Sequence, residues 1–115
     1  DLDRPTVLRA LSGIRAVHDL FDGVTGLAPL SRALDPDERD DRARASRHAL
    51  VLLLNLFTGR VTPWTRVEAG LTCGDAAAEI VRVLEDPAST RAEIEAAGKR
   101  AERINDPGSR LGHGP

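Results

Sequence analysis

Residues 35–58 constrain the fold more than any other part of this chain. From His48 to Phe57 nearly every position is apolar, so a helix formed there has no broad face suited to water. A helix that is apolar on all sides is normally enclosed by other helices. The sequence therefore predicts an all-α, single-domain bundle of four to five helices around a central apolar helix at about residues 36–58.

Both ends of this central helix have typical boundary residues. Asp35 is suited to the N-cap and Pro36 to the first helical position, and the acidic residues that follow favour the positive end of the helix dipole. At the other end Gly59 follows Thr58, where a glycine commonly ends a helix in the left-handed conformation. These signals predict a helix that starts directly after Asp35 and stops before Gly59.

Shorter helices are predicted on both sides of the central one. Apolar spacing or cap residues indicate helices over residues 4–21, 64–69, 75–85 and 91–104. Residues 27–34 form either a loose turn or a short helix. Thr90 and Glu93 make a capping box at the start of the last helix. No segment has the alternating period of a strand, so no sheet is expected.

Length and composition indicate one domain with an aliphatic core. The chain has 115 residues, of which 41% are hydrophobic and only 3% are aromatic, so leucine, valine, isoleucine and alanine must fill most of the interior. Residues 1–104 are predicted to form the helical bundle, and residues 105–115 a polar, flexible tail.

Cysteine content and hydropathy exclude several other classes of protein. The single Cys73 cannot form an internal disulfide and lacks the spacing of a metal finger, so no metal or cofactor is expected. The longest apolar run, residues 49–54, is far shorter than the roughly 20 residues that span a bilayer. No signal-peptide pattern opens the sequence. These features favour a cytoplasmic location and no membrane partner.

Residues 62–85 have the order of a helix-turn-helix unit, but their chemistry is unsuited to reading DNA. A short predicted helix, a turn with Gly74 and a longer helix follow one another. The second helix begins Asp75-Ala-Ala-Ala-Glu79, whereas recognition helices usually present Arg, Lys, Asn or Gln near their start. The formal charge of −2 also disfavours phosphate binding. A DNA-binding regulator is therefore only a third hypothesis, and we expect no nucleic-acid partner.

Polar residues on the central helix form the candidate ligand site. Asp41, Arg44, His48 and Asn55 fall within roughly 60° of one another on a helical projection. His18 interrupts the apolar stripe of the first helix and reaches this polar seam if the two helices are antiparallel neighbours. Three interpretations are open. The seam is a hydrogen-bond network inside the protein, a polar contact that fixes the register of two copies at a two-fold interface, or a ligand site made of His18, His48, Asn55 and Arg44.

A second group of residues is a candidate for binding a protein. Trp64 is the only tryptophan, and it either closes one end of the core or anchors an interface together with Arg60 and Arg66. The last helix has few large apolar residues on its inner face, so it either packs closely through its alanines or requires a partner.

The sequence favours a small helical interaction or regulatory module that acts through a helical surface. Such a module works as a homo-oligomer or as an accessory subunit of a larger protein. The alternative is a ligand-binding or enzymatic bundle that uses the His/Asn seam. Since no catalytic motif is present, enzymatic activity is the less favoured expectation.

Overall fold

The described part of the chain is an all-α bundle with one small hairpin. The structure, a computed structural model, describes residues 3–35, 37, 39–60, 64, 66–68 and 70–105. Its helices are Arg4–Val17 (α1), Leu27–Ala33 (α2), Asp41–Phe57 (α3), Cys73–Glu85 (α4) and Arg91–Asn105 (α5). Two antiparallel strands, Arg66–Glu68 (β1) and Leu71–Thr72 (β2), lie between α3 and α4 in the sequence. The predicted fold class is confirmed. The predicted tail, apart from Asn105 at the end of α5, lies outside the described residues.

Helix α3 is the central helix, as predicted. It contacts α1, α2, α4 and α5, and its most extensive contact is with α5. Its buried side chains are all apolar and are Ala45, Ala49, Leu50, Leu52 and Leu53. Among the described residues, no polar or charged residue is buried in the core. The enclosure is incomplete, however, because Leu54 is only half-buried and Phe57 is 41% exposed.

The start of α3 differs from the prediction. The helix begins at Asp41, because the Asp40 side chain caps it by accepting a hydrogen bond from the Ala43 N–H at 2.9 Å. The Asp35 carboxylate instead accepts from the Asp37 N–H, which closes a local turn ahead of the helix. Pro36 lies outside the described residues. At the other end the prediction is confirmed, since Gly59 has a φ of +79° directly after the C-cap.

Helix α1 is shorter than predicted and does not include His18. It ends at Val17, His18 has an extended backbone, and a 3₁₀ turn follows over Asp19–Phe21. A long-range contact favours this turn, because the Glu85 carboxylate at the end of α4 accepts the Leu20 N–H at 3.0 Å. Phe21 is buried from the turn rather than from the helix.

A hairpin replaces the helix predicted at residues 64–69. Strand β1 turns back through Gly70, whose φ of +76° favours glycine, and pairs with β2. The Thr72 side chain then caps α4 by accepting the Asp75 N–H at 3.2 Å. The first helix of a helix-turn-helix unit is therefore not formed over Arg66–Glu68. The Thr62-Pro63 start of that predicted helix lies outside the described residues.

Helix α5 packs closely on α3 through small residues. A Cβ atom added to Gly98 would lie 2.9 Å from the Ala45 Cβ, so the two helices touch at this point. The buried residues of α5 are Ile94, Ala97, Gly98, Ala101 and Ile104. The predicted capping box is confirmed by reciprocal bonds, Thr90 N–H to Glu93 Oε1 at 2.7 Å and Glu93 N–H to Thr90 Oγ1 at 3.1 Å. Close packing therefore accounts for this face without a partner.

Candidate functional site

The polar seam predicted on α3 divides into two parts. Asp41, Arg44 and His48 line an open groove of about 410 Å³ between α3 and α5, which we call the α3–α5 groove. Asn55 does not line it. Its side-chain amide donates to Asn105 Oδ1 at 3.2 Å, and the Asn105 amide donates to the His48 backbone carbonyl at 3.0 Å. Asn55 therefore belongs to a structural link between α3 and the end of α5.

Removing the Asn105 side chain tests this structural role. Asn105→Ala leaves the Asn55 amide and the His48 carbonyl without this partner, so we expect the free energy of unfolding to fall by about 1–3 kcal/mol, the sum of two ordinary hydrogen bonds. Urea denaturation measures this change. The matched control is Lys99→Ala, which truncates an exposed side chain on the same helix and should be nearly neutral. Equal stability of the two variants would contradict the structural role.

The charges in the α3–α5 groove largely satisfy one another. Asp41 pairs with Arg44 and also with Arg91, whose Nε lies 2.6 Å from Asp41 Oδ2. Arg91 also contacts Glu95 at 3.2 Å. His48 Nε2 lies 3.7 Å from Glu102 Oε2. Burial lowers the pKa of His48 below its usual value, while the nearby Glu102 opposes this shift and Arg47 adds to it. Together these effects favour the neutral form of the imidazole.

His18 does not line the α3–α5 groove, so it is separate from the Asp41, Arg44 and His48 part of the seam, which was within its reach only if the two helices were antiparallel neighbours. His18 lines a second groove between α1, α3 and α4. Burial lowers the pKa of His18 below its usual value, and the charge of Glu85 partly opposes the shift. The physical reason for the separation is the early end of α1, because His18 leaves the helical stripe on which the prediction depended.

This second groove, which we call the α1–α3–α4 groove, has a volume of about 400 Å³. One wall is made by the C-terminal ends of α1 and α3, and the other by the N-terminal half of α4. Its lining residues are Val17, His18, Leu53, Leu56, Phe57, Gly74, Ala77 and Ala78. His18 is the single polar side chain among them. The lining is therefore almost entirely apolar, although the groove is open to solvent.

Two large apolar side chains on the rim of this groove are exposed. Val17 is 65% exposed and Phe57 is 41% exposed. One side of the Phe57 ring covers Gly13 of α1, where an added Cβ would lie 2.8 Å from the ring. The sequence pattern predicted Phe57 to be part of the enclosed helix and indicated no role for Val17. One feature of the sequence does indicate that Val17 is exposed, because this residue lies off the apolar stripe of α1.

The residues predicted for a protein interface are on the surface. Trp64 is 73% exposed, so the interpretation that it closes the core is wrong, and the interface interpretation stays a prediction. Arg60 and Arg66 are also exposed. Cys73 is completely buried, as expected for a small apolar side chain.

The described residues contain neither a metal site nor a membrane span. They include no group of three or more His, Cys, Asp or Glu side chains placed to hold a metal ion. None of their helices has the length and apolar character needed to cross a bilayer. The chain matches no protein-family model, no curated protein and no solved structure.

Proposed function

We propose that this chain is a small helical interaction module that binds another protein surface through the α1–α3–α4 groove. The observation that carries the proposal is the exposure of Val17 and Phe57 on the rim of an apolar concave surface. An exposed apolar patch of this kind is typical of a protein interaction site. The remaining apolar faces of α3 and α5 are covered inside the bundle, so on these helices the α1–α3–α4 groove is the best candidate for an external contact.

The shape of the groove favours a protein over a small molecule. Its apolar lining continues from the floor onto the rim, so a small ligand in the groove would leave Val17 and Phe57 in water. A protein surface covers both the floor and the rim. The residues that α4 contributes to the groove are small, Gly74, Ala77 and Ala78, so they leave room for a partner element to approach this helix closely.

The α3–α5 groove supports the ligand-binding alternative less well. Asp41, Arg44, Arg91 and Glu95 form internal ion pairs, so a ligand would have to break these to gain its own. Asn55, which the alternative required for orienting a ligand, is bonded to Asn105 instead. The ligand-binding alternative therefore lacks the side-chain amide that was expected to orient a ligand.

Site-specific photo-crosslinking in the host cell tests the proposed function. A photoreactive amino acid at position 17 should give a discrete crosslinked protein band, because Val17 lies within the proposed contact. The same amino acid at position 92, an exposed alanine on α5 away from the groove, should not. Adding Ala78→Glu to the position-17 protein should remove the band by placing a charge in the groove.

Both positions are exposed, so folding should be the same in the two labelled proteins, and circular dichroism checks this. A band of the same intensity from both positions, or no discrete band from position 17, would overturn the proposed function. A band that persists with Ala78→Glu would show that the contact does not use the groove.

A further inference from the structure

We infer that a cavity between α2, α3 and the 3₁₀ turn binds a small amphipathic carboxylate, an apolar body that carries one negative charge. The cavity, which we call the α2–α3 cavity, has a volume of about 350 Å³. Its lining residues are Leu20, Phe21, Val24, Arg32, Ala33, Ala43, Ser46 and Arg47. None of them lines the α1–α3–α4 groove, so this inference does not rest on the proposed function.

The lining of this cavity carries positive charge that no lining residue balances. Arg32 and Arg47 contribute two guanidinium groups, and no acidic residue lines the cavity. Among the described residues, neither arginine forms an ion pair. The negative end of the α2 dipole, about half a charge, offsets only part of the Arg32 charge, and Arg47 lies inside α3. An anion that enters the cavity therefore meets positive charge without having to break an ion pair.

The two acidic residues that precede α3 do not compete for these arginines. Neither Asp35 nor Asp40 lines the cavity. The Asp35 carboxylate accepts the Asp37 N–H at 2.9 Å, and the Asp40 carboxylate accepts the Ala43 N–H at 2.9 Å. Both carboxylates are thus held by backbone N–H groups outside the cavity. This arrangement differs from the α3–α5 groove, where acidic side chains in the lining pair with the basic ones.

The donors of the cavity match a head group with a single negative charge. Arg32 is exposed in the last turn of α2, and its side chain makes no hydrogen bond to a described residue. Arg47 is partly used, because its Nη1 donates to the Asp35 backbone carbonyl at 3.0 Å and its Nη2 lies 3.5 Å from His48 Nε2. One fully available guanidinium suits the two oxygens of a carboxylate, which it binds through two parallel hydrogen bonds. The Ser46 hydroxyl adds another donor.

The rest of the lining is apolar and suits a hydrocarbon body. Phe21 and Val24 are buried, and the remaining apolar lining residues are partly buried. A volume of about 350 Å³ lies at the small end of the roughly 300–1,000 Å³ found for small-molecule sites. The cavity therefore fits a short aliphatic chain or a single ring, with the acidic group directed to the arginines.

Calorimetric titration with octanoate tests the inference, and octanamide serves as a neutral compound of nearly the same shape. Octanoate should bind at one site with a Kd of about 1 mM or tighter. Octanamide should bind at least about tenfold more weakly, because it lacks the charge that the guanidinium groups recognise. Equal affinities for the two compounds, or no saturable binding of octanoate, would overturn the inference.

An arginine substitution locates the binding of the carboxylate. Arg32→Gln should raise the Kd for octanoate at least about tenfold, because it removes the available guanidinium. The matched control is Arg82→Gln on α4, since Arg82 is also exposed, makes no contact with a described residue and lies outside the cavity. It should leave the Kd unchanged. Both variants should fold normally, which circular dichroism checks, and equal Kd values for the two would overturn the site.

Filling the cavity tests its apolar part. Ala43→Leu places a larger side chain in the lining and should also raise the Kd for octanoate at least about tenfold. The matched control is Ala96→Leu at an exposed position of α5, which should have no effect. An unchanged Kd in a folded Ala43→Leu protein would place octanoate elsewhere and overturn the inference. The position-17 crosslink does not involve this cavity, so the proposed function and this inference can fail separately.

Discussion

Leu53→Ala is expected to lower the free energy of unfolding by about 2–5 kcal/mol. Leu53 is 2% exposed in the C-terminal half of α3, where it packs into the core and lines the α1–α3–α4 groove. Truncation removes apolar contacts and leaves a cavity that the surrounding helices fill only in part. Urea or guanidinium denaturation followed by circular dichroism measures the effect.

Leu54→Ala is the matched control for this prediction. It removes the same atoms from the next residue of the same helix, but Leu54 is only half-buried. Because the stabilisation scales with the apolar area taken out of water, we expect a smaller cost than at Leu53. From the sequence alone, a central helix enclosed on all sides predicts that both leucines are buried and that each truncation costs about 2–5 kcal/mol. Equal losses would support that prediction and contradict the observed burial.

Gly98→Leu is expected to lower the free energy of unfolding by about 3 kcal/mol or more, because overpacking at this contact forces α3 and α5 apart. Even a Cβ atom at Gly98 would lie 2.9 Å from the Ala45 Cβ and 3.0 Å from its Cα. The Cα is backbone and cannot move away without shifting α3. Helix propensity acts in the opposite direction, since alanine is about 1 kcal/mol better than glycine in a helix interior.

Two further variants separate these opposing effects. Ala96→Leu adds a side chain at an exposed position of α5, so it should be nearly neutral and serves as the control. Gly98→Ala should be destabilising in the wild type and less so when combined with Ala45→Gly, which removes the nearer clashing atom. A Gly98→Leu protein as stable as the Ala96→Leu protein would show that the helices do not touch here.

The features predicted correctly depend on interactions between residues close in the sequence. The Thr90–Glu93 capping box joins residues three apart, and its bonds form as soon as that turn is helical. Gly59 ends α3 for an equally local reason, its left-handed backbone. The apolar run on α3 required enclosure whatever the arrangement of the other helices.

The predictions that failed involve competition between local signals or contacts with distant residues. Asp35 and Asp40 are both suited to cap a helix. In the structure Asp40 caps α3, while Asp35 closes a turn ahead of it. The cap-and-proline pattern at Thr62-Pro63 pointed to a helix, but the left-handed Gly70 supports a hairpin over the residues that follow. The end of α1 depends on Glu85, which is 65 residues away from Leu20 in the chain.

By itself, the sequence determined the all-α class, the central position of α3 and most of the helix ends, because periodicity and caps are properties of neighbouring residues. Only the tertiary structure decided what the polar and exposed side chains do. Asn55 and Asn105 meet across 50 residues of sequence, and the α1–α3–α4 groove is assembled from the ends of three helices. Its apolar residues have the same sequence pattern as core residues. Their exposure depends on where neighbouring helices stop, which packing between distant segments determines.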